Sequence, residues 1–142
     1  MNLGMVKKPP KVVLDTNLLI SALVFGGKPQ QVYNLVLEKQ IIGIISSILL
    51  AELTEVLTKK FNFELIRVEQ LEKTIKKHFK IVYPNKIINI VKDEDDNRML
   101  EAAAEGKCNY IVTGDKDLLT LKTFHQIKIL TPNDFLRIIQ GN

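Results

Sequence analysis

Short apolar runs alternate along the chain with longer segments in which apolar residues recur every three or four positions. The apolar runs are rich in β-branched residues and predict strands over residues 11–15, 41–47, 80–84, 109–115 and 127–130. Their apolar residues follow one another without polar alternation, so both faces of each strand are predicted to be buried. Such strands are typical of a parallel sheet that is covered by helices.

The segments between the strands have the spacing of amphipathic helices. Helices are predicted from near Asn17 to a break at 26–29, and then over residues 29–40, 47–60, 64–79, 95–106, 116–121 and 132–140. In the helix over 64–79 one stripe is expected to face the core, formed by Leu65, Val68, Leu71, Ile75 and Phe79. Residues 86–91 fit either an edge strand or an extended segment.

This alternation predicts an α/β fold class: a single-domain α/β/α sandwich with a central parallel sheet, similar to Rossmann-type folds. We expect one domain over residues 1–142, with its core at about 11–138, because no repeat, low-complexity tract or linker interrupts the pattern. Local signals mark helix ends. Ser46 or Ser47 is expected to cap the helix over 47–60, and Gly106 to close the helix over 95–106.

Composition narrows the class of protein. Hydrophobic residues make up 46% of the chain, and no apolar run approaches the roughly 20 residues that span a bilayer. The N-terminal segment has no apolar stretch after its lysines, so neither a secretory signal nor a membrane partner is expected. One cysteine, Cys108, excludes an internal disulfide and favours a cytoplasmic protein. The net charge of +4 favours a polyanionic partner.

Four acidic side chains are candidates for one site. Asp15 and Asp115 follow predicted strands, and ligands of parallel sheets bind beyond the carboxyl ends of strands where the strand order changes. Asp96 begins a predicted helix in line with its apolar stripe, and Glu52 is expected on the core-facing side of another helix. Each acid taken alone also fits a helix cap, a salt bridge or a solvated surface.

The acidic run at 93–96 contributes one of these four. Asp93, Glu94 and Asp95 are expected to remain in water, with Asp93 and Asp95 available to cap the helix. Four carboxylates cannot share a pocket as anions without a compensating charge. A divalent cation supplies that charge, and oxygen ligands select Mg²⁺ or Mn²⁺. The sequence therefore predicts a Mg²⁺ or Mn²⁺ site where the four acids meet.

The chain resembles the PIN-domain family over about residues 11–138. The resemblance lies in VVLDTNLLISAL, SSILLAELTEVL, DEDDNRMLEAAAEGKCNYIVTGDKDLL and IKILTPNDFL, which occur in that order. The D-T-N element alone has little specificity, whereas the ordered set with the helix glutamate, D-x-D-D-N and T-G-D-x-x-L-L is specific. The chain is most similar to the branch described as toxin components of bacterial or archaeal toxin–antitoxin modules.

The resemblance implies a metal-dependent endoribonuclease that hydrolyses RNA phosphodiester bonds with Mg²⁺ or Mn²⁺. It also implies a homodimer and inhibition by an antitoxin protein. The acidic quartet of the family falls on Asp15, Glu52, Asp96 and Asp115. Of these, Asp15, Asp96 and Asp115 are expected to be the principal ligands, whereas Glu52 holds a second ion or positions the attacking water.

Further residues match the family or suit an RNA substrate. Asn17 and Thr113 match polar residues that orient the metal or its waters, and Asp117 matches an additional acid. Exposed lysines are candidates to hold the RNA backbone, and they fit a solvated surface equally well; these are Lys59, Lys60, Lys76, Lys77 and Lys80.

Two other functions fit part of the pattern. A receiver-type signalling domain also binds Mg²⁺ through clustered aspartates. It needs paired acids after its first strand and an aspartate at the end of its third, and VVLDTN and IVYPN supply neither well. A non-catalytic PIN-fold protein that binds nucleic acid or a partner would keep the fold without needing all four acids.

Overall fold

The computed structural model describes residues 8–141. Residues 1–7 and Asn142 lie outside the described part, and so does most of the segment that was predicted not to be a secretory signal. The strands are β1 (Lys11–Leu14), β2 (Ile42–Ser46), β3 (Lys80–Val82), β4 (Tyr110–Val112), β5 (Thr123–Phe124) and β6 (Ile127–Leu130). Within this range they form one sheet in the order β3-β2-β1-β4-β6-β5, parallel except for β5. The predicted parallel sheet is confirmed, with an antiparallel strand at one edge.

Helices flank this sheet, which confirms the predicted α/β class. They are α1 (Thr16–Val24), α2 (Gly27–Leu37), α3 (Ser47–Lys59), α4 (Leu65–His78), α5 (Glu94–Glu105), α6 (Lys116–Leu121) and α7 (Pro132–Ile139). Val12, Val13 and Leu14 follow one another in β1 and are all buried, so helices must cover both faces of the sheet. No helix among the described residues is long and apolar enough to cross a bilayer.

The strand order changes direction beside β1. The chain runs outward from β1 through β2 to β3, and it then returns to place β4 on the other side of β1. The connection after β1 and the connection after β4 therefore lead away to opposite sides. Such a change of direction leaves a crevice at the carboxyl ends of the two strands, and ligands bind there. Receiver domains have the order 2-1-3-4-5, in which the third strand adjoins the first. Here β4 adjoins β1, so the receiver interpretation is wrong.

The structure adds one strand to the predicted elements, decides the conformation of one loop and moves the bounds of one helix. Strand β5 was not predicted, because two residues, Thr123 and Phe124, are too few to show a pattern, and it depends on pairing with β6. Residues 86–91 form neither a strand nor a helix, which decides for the extended alternative. Helix α2 begins at Gly27 and ends at Leu37, two residues earlier at its start and three at its end than predicted.

Helix boundaries depend on contacts that the sequence does not show. Ser46 caps α3 by accepting a hydrogen bond from the Leu49 N–H at 3.2 Å, as one of the two predicted alternatives required. Leu65 was predicted to face the core, but it is 69% exposed, because residues 64–67 at the start of α4 are all exposed and the helix packs on the core only from Val68 onward. Gly106 does close α5, although the left-handed residue is the next one, Lys107, with φ 52°.

Gly43 in β2 is small because the aromatic ring of Phe79 packs directly on it. A Cβ at position 43 would lie 2.6 Å from Phe79 Cδ2 and 3.0 Å from Val36 Cγ1. We expect Gly43→Ala to lower the free energy of unfolding by about 1–3 kcal/mol through overpacking. Urea denaturation measures this, with Gly114→Ala as the control, since a Cβ at Gly114 meets nothing within 4 Å. Equal stability of the two variants would contradict the packing argument.

Candidate metal centre

Three carboxylates converge at the carboxyl edge of the sheet. Asp93, Asp96 and Asp115 each offer one oxygen, and these oxygens all lie within 4.8 Å of one another. Asp93 is the N-cap of α5 and Asp96 is in the first turn of that helix, whereas Asp115 is the N-cap of α6 after β4. The connection after β4 and the start of α5 therefore meet at the point where the strand order changes.

Asp15 lies beside this triad and is held in a fixed orientation. It is buried at the end of β1, and its Oδ2 accepts a hydrogen bond from the Thr113 hydroxyl at 2.6 Å. Its Oδ1 accepts from the Asn17 backbone N–H at 2.9 Å. Burial raises the pKa of Asp15, these two hydrogen bonds oppose the rise, and the negative charges of Asp115 and Asp93 add to it.

Thr113 links the two strand-end acids. While its hydroxyl donates to Asp15, the same oxygen accepts from the Asp115 backbone N–H at 2.9 Å. Thr113 and Asp15 are both buried, so the bond between them is protected from competition by water. Thr113 was predicted to orient the metal or its waters; in the structure its hydroxyl orients Asp15 and the turn that carries Asp115.

Asp96 is the most constrained member of the triad. Its side chain is 3% exposed, and its Oδ2 is buried without a hydrogen-bond partner among the described residues. Burial, the charges of Asp115, Asp93 and Asp15, and a hydrogen bond to Asp115 together raise the pKa of Asp96 to about 7, with burial as the largest cause. A buried carboxylate oxygen without a partner costs folding free energy that a bound cation would recover.

Glu52 faces the centre from α3 and contacts the other side of the acidic run. Its pKa is raised to about 8 by partial burial, then by a hydrogen bond and repulsion with Asp95, and then by the charges of Asp15 and Asp93. Glu52 is therefore near the other acids but is not one of the three closely spaced carboxylates. Glu52 was predicted on the core-facing side of α3 and is half-buried there: Val56, one turn later, packs on the core, whereas Ile48, one turn earlier, is 57% exposed.

The donor set fits a hard divalent cation. None of Asp15, Glu52, Asp96 and Asp115 forms a salt bridge with a lysine or arginine within residues 8–141. Helices α1, α5 and α6 all begin at acids of this cluster, so their positive ends favour the negative charge there. Each helix end contributes only about 0.3–1 kcal/mol, and the pKa values remain raised. A divalent cation would balance the remaining charge, and the oxygen donors of these acids would suit Mg²⁺ or Mn²⁺.

Asn97 holds the segment that leads into the triad. Its Oδ1 accepts hydrogen bonds from the Ile90 and Val91 backbone N–H groups at 3.0 and 3.1 Å, and its Nδ2 donates to the Val91 carbonyl at 2.8 Å. Two positions before Asp93, the extended chain is thereby fixed to α5. Asn97 is buried, which makes these bonds costly to lose.

Glu101 holds the same segment one turn later on α5. Its Oε2 accepts from the Ile88 N–H at 2.9 Å, and its carboxylate pairs with Arg98, with Nε 2.8 Å from Oε1. The final asparagine of the D-x-D-D-N motif and the glutamate four residues later thus act on the backbone of the preceding loop. We did not predict either role, since the sequence does not show where residues 86–91 lie.

The auxiliary residues are placed unequally. Asn17 donates its backbone N–H to Asp15. Asn17 is exposed, and it lines a cavity of about 370 Å³ together with Asp15 and Asp115. Asp117 donates its backbone N–H to Asp115 Oδ1 at 2.8 Å. The Asp117 side chain is outside the triad and lines a separate groove with Lys92.

The predicted lysines lie away from the triad. Lys59 and Lys60 are at the C-terminal end of α3, and Lys80 begins β3 at the amino edge of the sheet, opposite the acids. Lys76 and Lys77 end α4 immediately before it. Lys59 pairs with Glu55 and Lys76 with Glu72. The structure does not bring these five lysines to the carboxylates.

Asp93 is the site residue that the sequence analysis missed. We expected it to stay in water as a helix cap, and it does cap α5, accepting from the Asp95 N–H at 2.8 Å. It also joins Asp96 and Asp115 in the triad. Residues three apart on a helix share a face, so the spacing of Asp93 and Asp96 was the available signal.

The chain belongs to the PIN-domain family, whose model matches residues 11–117. It is similar to Uncharacterized protein MJ1680 of Methanocaldococcus jannaschii, with 33% identity over 139 residues and 89% of each chain covered. The resemblance drawn from the sequence motifs is therefore confirmed.

Two solved structures share the fold. VapBC2 from Rickettsia felis, bound to a DNA fragment from the promoter, aligns with a TM-score of 0.57 at 15% identity over 84% of this chain and 96% of that chain. The PIN domain endonuclease Utp24 aligns with a TM-score of 0.55 at 22% identity over 88% of this chain and 86% of that chain. These alignments confirm the PIN-like α/β fold.

The raised pKa values predict how stability depends on pH and on cation. The pKa rises from 3.8 to about 7 for Asp96 and from 4.5 to about 8 for Glu52, so between about pH 4 and 8 the folded protein holds protons that the unfolded chain has released. When a chelator keeps the protein free of metal, the folded state must lose these protons as the pH rises through that range, and the protein becomes less stable. We expect Mg²⁺ to raise the melting temperature more at pH 8 than at pH 5. Calorimetry checks this, and an equal effect of Mg²⁺ at both pH values would contradict it.

Proposed function

We propose that this protein is a metal-dependent endoribonuclease that hydrolyses RNA phosphodiester bonds. The observation that carries the proposal is the triad of Asp93, Asp96 and Asp115, whose oxygens lie within 4.8 Å of one another at the crevice of a PIN-family chain. The endonuclease Utp24, which shares the fold, supports the same class of activity. Acids held apart on different surfaces would have argued against it.

Mg²⁺ or Mn²⁺ would be held by Asp93, Asp96 and Asp115, with Asp15 as a further ligand, direct or through water. When bound, such an ion lowers the pKa of a coordinated water and stabilises the charge that develops on the scissile phosphate. The protein itself fixes the donor atoms. Thr113 orients Asp15, and Asn97 holds the chain before Asp93.

Glu52 is the proposed residue for positioning the attacking water or for holding a second ion. It lies on α3, it is half-buried, and the charges of Asp95, Asp15 and Asp93 act on its carboxyl group. Its carboxyl group is outside the closely spaced triad, which leaves it free to contact a group bound there. This assignment keeps the role that the sequence analysis gave it.

The RNA backbone needs cations near the triad. Lys92 and Lys116 are exposed and adjoin Asp93 and Asp115 in sequence, and Lys28 donates to Asn133 Oδ1 beside the cavity at Asp15. We propose that these three contact the phosphates that flank the scissile bond. Lys59, Lys60, Lys76, Lys77 and Lys80 remain proposed contacts for more distant parts of the substrate.

We further propose that the protein is the toxin of a toxin–antitoxin pair and that an antitoxin protein binds it. One chain of VapBC2 from Rickettsia felis shares the fold, and this likeness supports the proposed role. The chain also exposes large apolar side chains, among them Phe25 at the end of α1, Ile48 at the start of α3, and Leu65 and Ile66 at the start of α4. Exposed apolar groups of this kind favour a protein interface, with an antitoxin or in a homodimer. We propose that the protein acts in the cytosol, where the buried free thiol of Cys108 stays reduced.

A cleavage assay on a labelled single-stranded RNA tests the proposal. Cleavage is expected with Mg²⁺ or Mn²⁺ and not in EDTA, and Asp15→Asn is expected to abolish it. Cleavage that continues in EDTA would refute a metal-dependent mechanism. RNA or partner binding without cleavage under either metal would favour the non-catalytic PIN-fold alternative.

A further inference from the structure

A second groove lies at the opposite edge of the sheet from the acids. Its volume is about 750 Å³, and it runs across the amino ends of β4 and β6 and the C-terminal end of α5. A volume of this size is within the range of ligand-binding clefts. The acidic centre and this groove lie at the two ends of α5, a helix of 12 residues that spans about 18 Å.

The groove is basic. Lys86, Lys107 and Lys128 line it, and none of its lining residues is acidic. None of these three lysines is in a salt bridge within the part of the chain that the structure describes. The C-terminal end of α5 contributes about half a negative charge, which three lysines outweigh. The groove therefore favours an anion.

Further positive charge lies close to this groove. Lys11 adjoins the groove, because its backbone N–H donates to the side-chain oxygen of Asn109, a lining residue, at 2.9 Å. Burial raises the pKa of the Cys108 thiol, and the charges of Lys11 and Lys80 lower that pKa by less. The amino edge of the sheet is thus positive over several residues, whereas the carboxyl edge is acidic.

Planar and hydrogen-bonding groups accompany the lysines. Tyr110 is half-buried, with its ring packed against Phe135 at 5.5 Å, and His125 packs edge-on against Phe124 at 4.2 Å. Asn109 and Gln126 add amides to the same wall. A single-stranded nucleotide is bound by groups of these three kinds. Lysines contact the phosphate, aromatic rings that are held in place by packing stack on the base, and amides form hydrogen bonds with the edge of the base.

We propose that the groove lined by Lys86, Lys107, Lys128, Tyr110 and His125 is a second binding site for nucleotides, which holds part of a single-stranded RNA away from the cleavage centre. The choice of RNA as the source of the nucleotide depends on the proposed ribonuclease function. A free mononucleotide offers the same chemistry and is a separate arm of the test. A strand bound at both ends of α5 would be positioned along one side of the domain.

The test is a double variant, Lys86→Gln with Lys128→Gln, and binding of a fluorescein-labelled single-stranded RNA measured by anisotropy in EDTA. We expect the dissociation constant to rise roughly tenfold at low salt and the slope of log K against log salt to fall by about 1.4, for two lost phosphate contacts. The control, Lys39→Gln with Lys73→Gln, removes the same charge from exposed lysines outside the groove. It should bind as the wild type does.

Binding in EDTA does not depend on catalysis, so the groove and the ribonuclease function can fail separately. If both double variants bind RNA equally more weakly than the wild type, the effect would reflect net charge alone, and the proposed nucleotide site would be overturned. Unchanged RNA binding in the groove variant would overturn it as well, unless calorimetry shows that AMP binds the wild type and not the variant. That last result would support a free nucleotide as the ligand.

Discussion

Asp96→Asn is expected to lose RNA cleavage by on the order of 100-fold or more while the metal-free protein becomes more stable. The substitution keeps the shape of the side chain and removes one charge from the triad. Asp96 is the buried member, and burial together with Asp115, Asp93 and Asp15 raises its pKa to about 7. Removing its charge therefore removes both a proposed ligand and a repulsion.

The two effects have different measurements. Cleavage is followed with saturating Mg²⁺, and thermal unfolding in EDTA at pH 8, where the repulsion is largest. A stabilisation of about 1 kcal/mol would raise the melting temperature by roughly 3–5 °C in a chain of this size. The variant should also lose most of the stabilisation that Mg²⁺ gives the wild type.

Glu94→Gln is the matched control. Glu94 belongs to the same acidic run and the same first turn of α5, but it is exposed and outside the triad. Its cleavage rate should stay close to that of the wild type. A loss of activity equal to that of Asp96→Asn would mean that the run acts through its total charge. Full activity in Asp96→Asn would remove Asp96 from the site.

Asn97→Ala is expected to destabilise the protein by about 2–4 kcal/mol and to weaken metal binding. The side chain makes three hydrogen bonds to the backbone of Ile90 and Val91, and it is buried. Its loss leaves two N–H groups and a carbonyl without these partners. It also frees the chain that enters Asp93.

Urea denaturation and limited trypsin digestion measure the two consequences. Lys86 and Lys92 lie in or next to the freed segment, so the variant should be cut there faster than the wild type. Asn34→Ala, on the exposed side of α2, is the control and should leave both stability and digestion nearly unchanged. If Asn97→Ala unfolds as the wild type does and resists trypsin equally, the hydrogen bonds of Asn97 do not hold the segment before Asp93 in place.

Much of the centre followed from local sequence. Asp15 and Asp115 were identified by their positions after apolar strands, and both lie at the change in strand order. Helix periodicity placed Asp96 toward the core, where it is buried. These inferences succeeded because a strand end and a helix face are decided within a few residues.

Other parts of the centre depended on distant contacts. Asp93 has the same local surroundings as a solvated helix cap, and only the approach of Asp115 makes it part of a triad. Thr113 reaches Asp15 across 98 positions of sequence, through the pairing of β1 with β4. The basic groove gathers lysines from a loop, a helix end and a strand.

The α/β class, the parallel strands and the acids that end them could all be predicted, since each follows from the pattern of apolar and polar side chains over a few residues. The strand order, the inclusion of Asp93, the exposed position of Leu65 and the opposite charge of the two sheet edges became known only from the packed structure. Local free energies select helices and strands, whereas the distances between charges depend on how those elements pack.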